Sequence, residues 1–294
     1  RDNRIAYSLD ALRLLSGIDF RPFPWLLAEL EPGFTITNLE CADPDVDCGQ
    51  DLDGNQNTRL RLDRGQRTGF NLGSQVTVDF RNSPFNPSRG WSLRFGTEYA
   101  SGIVQDQGVN INDTYAFLKS EGRLTGYLPL GDSVLALALW GGRIDVLDGT
   151  EAPIDQRFFL GGRRTLRGFF DDSIFPADAC LPDEVRDNCA EVVPNDTSGA
   201  STIPLPGGHS YILGKGEVRF RLSENLTLNS FLESGNLWYR LPSADNFSLR
   251  LGLGVGLSYT TPVGPLALSV GFNPFRKQQY LESLYEFHIS IGQF

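Results

Sequence analysis

Between Arg250 and Tyr259 the chain reads RLGLGVGLSY, with Leu251, Leu253, Val255, Leu257 and Tyr259 apolar and Arg250, Gly252, Gly254, Gly256 and Ser258 between them. The same period of two runs through PLALSVGFN, where Leu266, Leu268, Val270 and Phe272 face one way and Ala267, Ser269, Gly271 and Asn273 the other. EFHISIGQF repeats it with Phe287, Ile289 and Ile291. Alternation at every second residue marks a strand, because successive side chains point to opposite faces. With similar stretches near 68–82, 91–101, 115–128, 133–144, 210–222 and 226–238, the pattern predicts nine clear strands. Two weaker ones precede them, near 5–20 and 25–38, with RPFP as a short turn between. The class is all-β.

A soluble sandwich also alternates, so strand length and the second face decide the architecture. Several stretches reach ten residues or more, which suits a tilted bilayer crossing rather than the five or six residues usual in globular sheets. The second face is small, polar or charged: Lys119, Glu121 and Arg123 share one, and Lys215, Glu217, Arg219 and Arg221 another. A water-filled or loop-plugged lumen accommodates such residues, whereas a packed sandwich does not. Trp91, Tyr99, Tyr127, Trp238 and Tyr259 stand near strand ends, where interfacial girdles form. Short turns at 83–90, 129–132, 223–225 and 261–265 alternate with longer links at 39–66, 102–114, 145–209, 239–248 and 273–285. This is the short-inside, long-outside rhythm of an outer-membrane barrel. The prediction is a transmembrane antiparallel β-barrel with about eleven strands in this chain. Eleven is odd, and an open sheet in lipid leaves backbone groups unpaired. Further strands are therefore expected, from the same chain or another.

Composition narrows the remaining choices. Of 294 residues 40% are hydrophobic and the net charge is −10, with lysine only at 119, 215 and 277, so no basic surface could track nucleic acid. No apolar run of about 18 residues exists to form a transmembrane helix. A signal peptide is not seen and methionine is absent, which suggests a processed or partial chain. Cys41/Cys48 and Cys180/Cys189 fall as two close pairs in Asp/Pro-rich loops and read as disulfides of an oxidising compartment. Metal sites of the C-x₂-C kind need tighter spacing. Asp43, Asp45, Asp47, Asp51 and Asp53 are spaced at every second or fourth residue, with Gly49 and Gly54 allowing tight turns, a pattern reminiscent of calcium loops. Cys48 interrupts that pattern and no glutamate follows at the right distance, so an ordinary acidic surface loop competes with a calcium site. His288, flanked by lipid-facing Phe287 and Ile289, is expected to point into the lumen in a structural role. His209 and Ser210 are merely adjacent and make no nucleophile–base pair. The sequence contains no credible enzyme site and calls for no cofactor beyond that calcium candidate.

The segment GGRRTLRGF at 161–169 resembles the glycine-rich Arg-Gly-aromatic loop of BamA/TamA-type outer-membrane insertases, whose superfamily also holds the two-partner secretion translocators. VDFRNSPFNPSRGWSLRFG, GEVRFRL, SFLESGNLW, SYTTPVGPLALSVGFNP and FHISIGQF resemble, in order, that family's strand–turn–strand, motif-flanking strands, penultimate hairpin and closing strand. The resemblance covers about 68–294. It implies the C-terminal part of a sixteen-stranded barrel over 1–294, preceded in the family by further strands and POTRA domains that this sequence does not contain. Residues 1–66 would hold the weaker strands and a disulfide-clipped external loop. Residues 67–294 would hold the last nine strands, with loop 145–209 folded into the lumen.

In that family the motif arginine contacts acids on the barrel wall. Carried over here, Gly161, Gly162, Arg167, Gly168 and Phe169 form the loop motif, while Glu217, Phe231 and Glu233 are its wall partners. Parity agrees: Glu217 lies opposite Val218, Phe220 and Leu222, and Glu233 shares a face with Phe231. The resemblance further implies a lateral seam at the last strand, through Phe287, Ile289, Ile291, Gly292 and Phe294. The implied function is assembly and insertion of outer-membrane proteins in a Gram-negative outer membrane, with long loops outside. Its partners would be lipid, unfolded clients, and periplasmic or lipoprotein accessory subunits. A secretion translocator of the same superfamily and a barrel anchor for a patatin-like lipase remain alternatives.

Overall fold

A computed structural model describes residues 7–41, 65–105, 112–148, 152–178, 207–242, 247–261, 264–277 and 282–291. It contains twelve strands: β1 (Tyr7–Leu15), β2 (Ile18–Phe23), β3 (Leu26–Cys41), β4 (Gly65–Asp79), β5 (Gly90–Gln105), β6 (Asn112–Leu130), β7 (Ser133–Val146), β8 (Ser210–Arg221), β9 (Leu226–Trp238), β10 (Arg250–Thr261), β11 (Gly264–Phe272) and β12 (Tyr285–Ile291). All join one sheet in sequence order, β2 continuing the line of β1 along β3, and neighbouring strands among the described residues are antiparallel. The fold is the expected all-β membrane barrel sheet.

The weak strand expected at 5–20 is two strands that share one line. β1 pairs with β3 down to Leu15↔Gly33, and β2 resumes in the same register at Ile18↔Leu30. The gap lies opposite Glu31 and Pro32, and proline has no N–H to give to the ladder. Eleven strand positions across the sheet thus become twelve segments. The turn falls at Pro24–Trp25, after RPF, rather than on RPFP itself.

Parity along each strand separates lipid from lumen. Leu137 and Leu139 of β7 are 46% and 53% exposed, while Ala136 and Ala138, alternating with them, are buried. Leu232 on β9 faces outward and its neighbours Phe231 and Glu233 are buried. A lipid-facing hydroxyl pair, Ser74 and Thr97, is satisfied by its own 2.9 Å hydrogen bond. The β6–β7 connection is a two-residue turn, Gly131–Asp132, with Gly131 at φ 61°, the conformation a Gly-first hairpin turn requires.

The aromatic girdle differs from the expected set. Trp91, Tyr99 and Tyr259 are exposed outward, but Tyr127 and Trp238 are almost completely buried. Tyr127 sits at the inward parity of β6 beneath Arg219, and Trp238 is stacked against Phe247. Phe23, Trp25 and Phe80 instead join Trp91 in a continuous row, with ring centroids 5.1, 5.3 and 5.1 Å apart, at the short-turn end of β2 to β5. Such rings suit an interface that is apolar on one side and wet on the other.

The inward face is also less polar than expected. Phe117, Ile144, Tyr211, Leu213 and Leu237 form an apolar cluster with Phe158, Leu160, Leu166, Phe169 and Ile174 of the β7–β8 loop. Loop residues 152–178 touch inward side chains from β4 to β12, so the sheet must curve around them. The core of this barrel is a loop packed on a wall.

Leu139 lies at the middle of β7 on the lipid face, so Leu139→Arg is expected to destabilise the folded barrel by about 2–4 kcal/mol. Gln75→Lys, whose side chain faces Glu29 in the lumen, should change stability by less than ~1 kcal/mol. Urea unfolding in lipid vesicles, followed by the mobility shift of unheated samples on SDS gels, compares the two. Equal losses would invalidate the assigned faces.

Candidate functional site: a loop clamped to the barrel wall

The register of β8 against β9 builds the receiving surface. Lys215 stands directly opposite Glu233 and Glu217 opposite Phe231, all four on inward parity. Two acids, a lysine and an aromatic ring therefore occupy a patch two residues tall and two strands wide. Glu233 is completely inaccessible and Glu217 is 4% exposed. Buried carboxylates at such a place need cationic partners.

The loop supplies one. Gly161 and Gly162 have φ of 116° and 87°, values in the left-handed region that favours glycine. They start a tight double turn: Gly162 N–H lies 3.0 Å from both the Leu166 and Phe169 carbonyls, and Thr165 Oγ1 receives Gly161 N–H at 2.9 Å. The turn presents Arg167 to the acids. Its Nε donates to Glu233 Oε1 at 2.8 Å, its backbone N–H to Glu233 Oε2 at 2.7 Å, and Nη2 lies 2.8 Å from Glu233 and 3.0 Å from Glu217. The guanidinium carbon also lies over Phe231, 3.5 Å from the ring centroid. A planar, delocalised cation can meet two carboxylates at its edges and a ring on its face at once; an ammonium cannot.

Further cations balance the acids. Lys215 Nζ lies 3.4 Å from Glu233 and donates to the Arg164 carbonyl at 3.1 Å, while Arg219 pairs with Glu217 at 2.9 Å. Burial works against the charge on Arg167, yet Glu233 first and Glu217 next hold its pKa above the ordinary guanidinium value. At the loop's return, burial and then Arg157 push the His209 imidazole down to about 4. His209 is therefore neutral at physiological pH.

Glycine explains how the loop can lie so close. A side chain at Gly168 would sit 2.8 Å from the Phe272 carbonyl and 3.0 Å from Gly252 Cα. At Gly271 it would collide with the Arg167 carbonyl and with Gly168 N–H. The alternating glycines of β10 and β11 thus make room for a loop backbone. Phe169 follows, 2% exposed, under the guanidinium of Arg250.

The structure brings all eight motif and wall residues together. Of the seam residues, Phe287 and Ile289 point toward lipid at 76% and 66% exposure, and Ile291 ends β12. Gly292 and Phe294 lie outside the described residues, as do Cys48, Cys180, Cys189, and Asp43, Asp45, Asp47, Asp51 and Asp53 of the calcium candidate; Cys41 ends β3. Four anchors were missed by sequence reasoning. Asp155 makes a buried 2.6 Å pair with Arg67 of β4, and Lys119 donates to the Gln156 carbonyl at 2.7 Å. Asp178 accepts the N–H groups of Tyr239 and Arg240 at 2.7 and 2.9 Å. Glu282 binds Arg250. The three acids, Asp155, Asp178 and Glu282, and the Gln156 carbonyl all lie in connections between strands, where no periodicity of two marks which residue turns inward.

Comparison with known proteins follows this geometry. The Omp85 superfamily domain matches residues 26–294. The chain is 25% identical over 230 residues to the outer membrane protein assembly factor BamA of Neorickettsia risticii (strain Illinois), a match covering 75% of this chain and 27% of that protein. It is 32% identical over 118 residues to the sorting and assembly machinery component 50 homolog of Mus musculus, covering 40% of this chain and 24% of the relative. The match therefore spans about a quarter of each relative's length. Among solved structures, BamA from Haemophilus ducreyi lacking POTRA domains 1–3 superposes with a TM-score of 0.72 at 18% identity, covering 100% of this chain and 56% of that one.

Two outcomes follow from the site. Glu233→Ala leaves Arg167 and Lys215 buried with one remaining acid and is expected to cost about 3–5 kcal/mol. Glu217→Ala should cost less, since Glu233 still holds Arg167. Urea midpoints of the two variants test that order, and the reverse order would refute the assignment of Glu233 as principal partner. Gly271→Ala should unseat the loop, seen as faster protease cleavage between 152 and 178 in folded protein. Unchanged cleavage would show that the close approach is not needed.

Proposed function

The chain belongs to the Omp85 superfamily, and from that premise we propose that it is the barrel part of an outer-membrane protein assembly factor of a Gram-negative bacterium. The observation carrying this reading is the buried Arg167, presented to Glu233 and Glu217 by a loop packed against the inner wall. A loop pinned to the inner wall by buried ion pairs and an apolar cluster argues against a passive open pore. It leaves the sheet edge as the working surface. There an unfolded outer-membrane protein can add a strand by backbone hydrogen bonds, with β12 as one lip of a lateral seam. The described part of β12 pairs with β11 alone, over seven positions.

No covalent step is needed. The free energy comes from the client, which pairs its backbone and buries apolar surface in lipid as it folds. The barrel lowers the barrier by offering pairing partners where water is scarce. The Arg-Gly-Phe loop keeps the wall in shape while that edge is exposed. Clients are the unfolded outer-membrane proteins, with accessory periplasmic or lipoprotein subunits delivering them.

The test uses the full natural chain in lipid vesicles and an unfolded outer-membrane barrel protein as client. Arg167→Ala is expected to slow client folding roughly tenfold or more while the variant's own barrel remains heat-shiftable on gels. Unchanged client folding would overturn the assembly reading. Passage of an unfolded polypeptide through the lumen without insertion would favour secretion.

A further inference from the structure

The last strand is tied to the motif loop as well as to its neighbour in the sheet. Among the described residues, β12 meets β11 over seven register positions, from Leu266↔Ile291 to Phe272↔Tyr285. Two contacts reach it from the motif turn. His288 points inward, and its Nε2 lies 2.9 Å from the carbonyl oxygen of Arg167. Arg163 Nη1 lies 3.4 Å from the carbonyl of Ile289. A third contact holds the strand's lead-in: Glu282 binds Arg250, accepts the Lys277 N–H at 2.7 Å and Asn273 Nδ2 at 3.1 Å, and Arg250 lies over Phe169.

The chemistry of the first contact is fixed by its acceptor. A carbonyl oxygen cannot donate, so His288 must carry its hydrogen on Nε2. The same residue that supplies this carbonyl, Arg167, is bound through its side chain and its own N–H to Glu233. Its carbonyl cannot drift alone, because Gly168 and Gly271 already place backbone against backbone there. One residue is thus gripped by β9 on one side and by β12 on the other.

We propose that His288 is a positioning residue that couples the seating of the motif loop to the seating of the last strand. When Arg167 occupies its acids, its carbonyl holds His288 and draws β12 against the lumen loop. When Arg167 leaves, that bond is lost and β12 rests on its pairing with β11 and the lead-in contacts. The consequence for client assembly rests on the function proposed above; the coupling itself does not.

Backbone hydrogen exchange, read by mass spectrometry on the full natural chain in lipid nanodiscs, tests the coupling. His288→Leu is expected to speed exchange of the 285–291 amides roughly fivefold to tenfold, the scale of one lost hydrogen bond, with 226–238 unchanged. His288→Gln, which keeps an amide donor, should restore most of the protection. Arg167→Lys should loosen β12 as His288→Leu does. Should His288→Leu not assemble, His288→Ser makes the same comparison with polarity kept in the lumen. Exchange at 285–291 equal to that of the parent, or Gln as fast as Leu, would overturn the coupling. Client folding measured in parallel separates the two ideas. A loosened β12 with unchanged client folding upholds the coupling and counts against the role of the seam in assembly.

Discussion

In hydrocarbon a backbone N–H or C=O without a partner costs several kcal/mol, and water is not there to take its place. This requirement shapes everything else in the chain. It forces the strands into one continuous antiparallel sheet, where even the gap opposite Pro32 is bridged by strands in a common register. It also gives each strand two unlike faces. The outer face must tolerate lipid, so chemistry has only the inner face on which to act. Charged residues such as Lys215, Glu217 and Glu233 gather there because the alternative is worse.

A curved wall with charges on its inner face needs something to satisfy them, and the β7–β8 loop does so. Its attachments are spread around the wall: Asp155 on β4, Lys119 of β6 on the loop backbone, Arg167 on β8 and β9, and His288 of β12 on the Arg167 carbonyl. Between these polar ties lies an apolar filling of Phe158, Leu160, Leu166, Phe169 and Ile174. The ties set where the loop sits, and the filling excludes water around them, which strengthens each tie. A buried ion pair is not by itself a source of stability. Here it selects one loop position among many, and the glycines at 168, 252 and 271 permit that position.

The site could be read only where a local rule operates. Gly161 and Gly162 stand where positive φ is required, and parity alone places Glu217 and Glu233 on the inward face. The resemblance to a known motif then pointed Arg167 at them. No local rule marks Asp155, Asp178 or Glu282, because loop residues have no period that assigns them a side. Tyr127 and Trp238 show the converse failure. Nearness to a strand end suggested an interface, but inward parity buried one and Phe247 covered the other.

By itself the sequence determined the strands, their inner and outer faces, the alternation of short and long connections, and the residue types able to form a clamp. These depend on period-two patterning and turn chemistry, which act over a few neighbouring residues. Tertiary structure alone decided which charges meet. The β8–β9 register placed Lys215 opposite Glu233, the curvature of the sheet brought β4 and β12 within reach of one loop, and the path of that loop gave His288 a carbonyl 121 residues away. Contacts of that kind depend on closure in space, and no pattern along the chain encodes the distance between two walls.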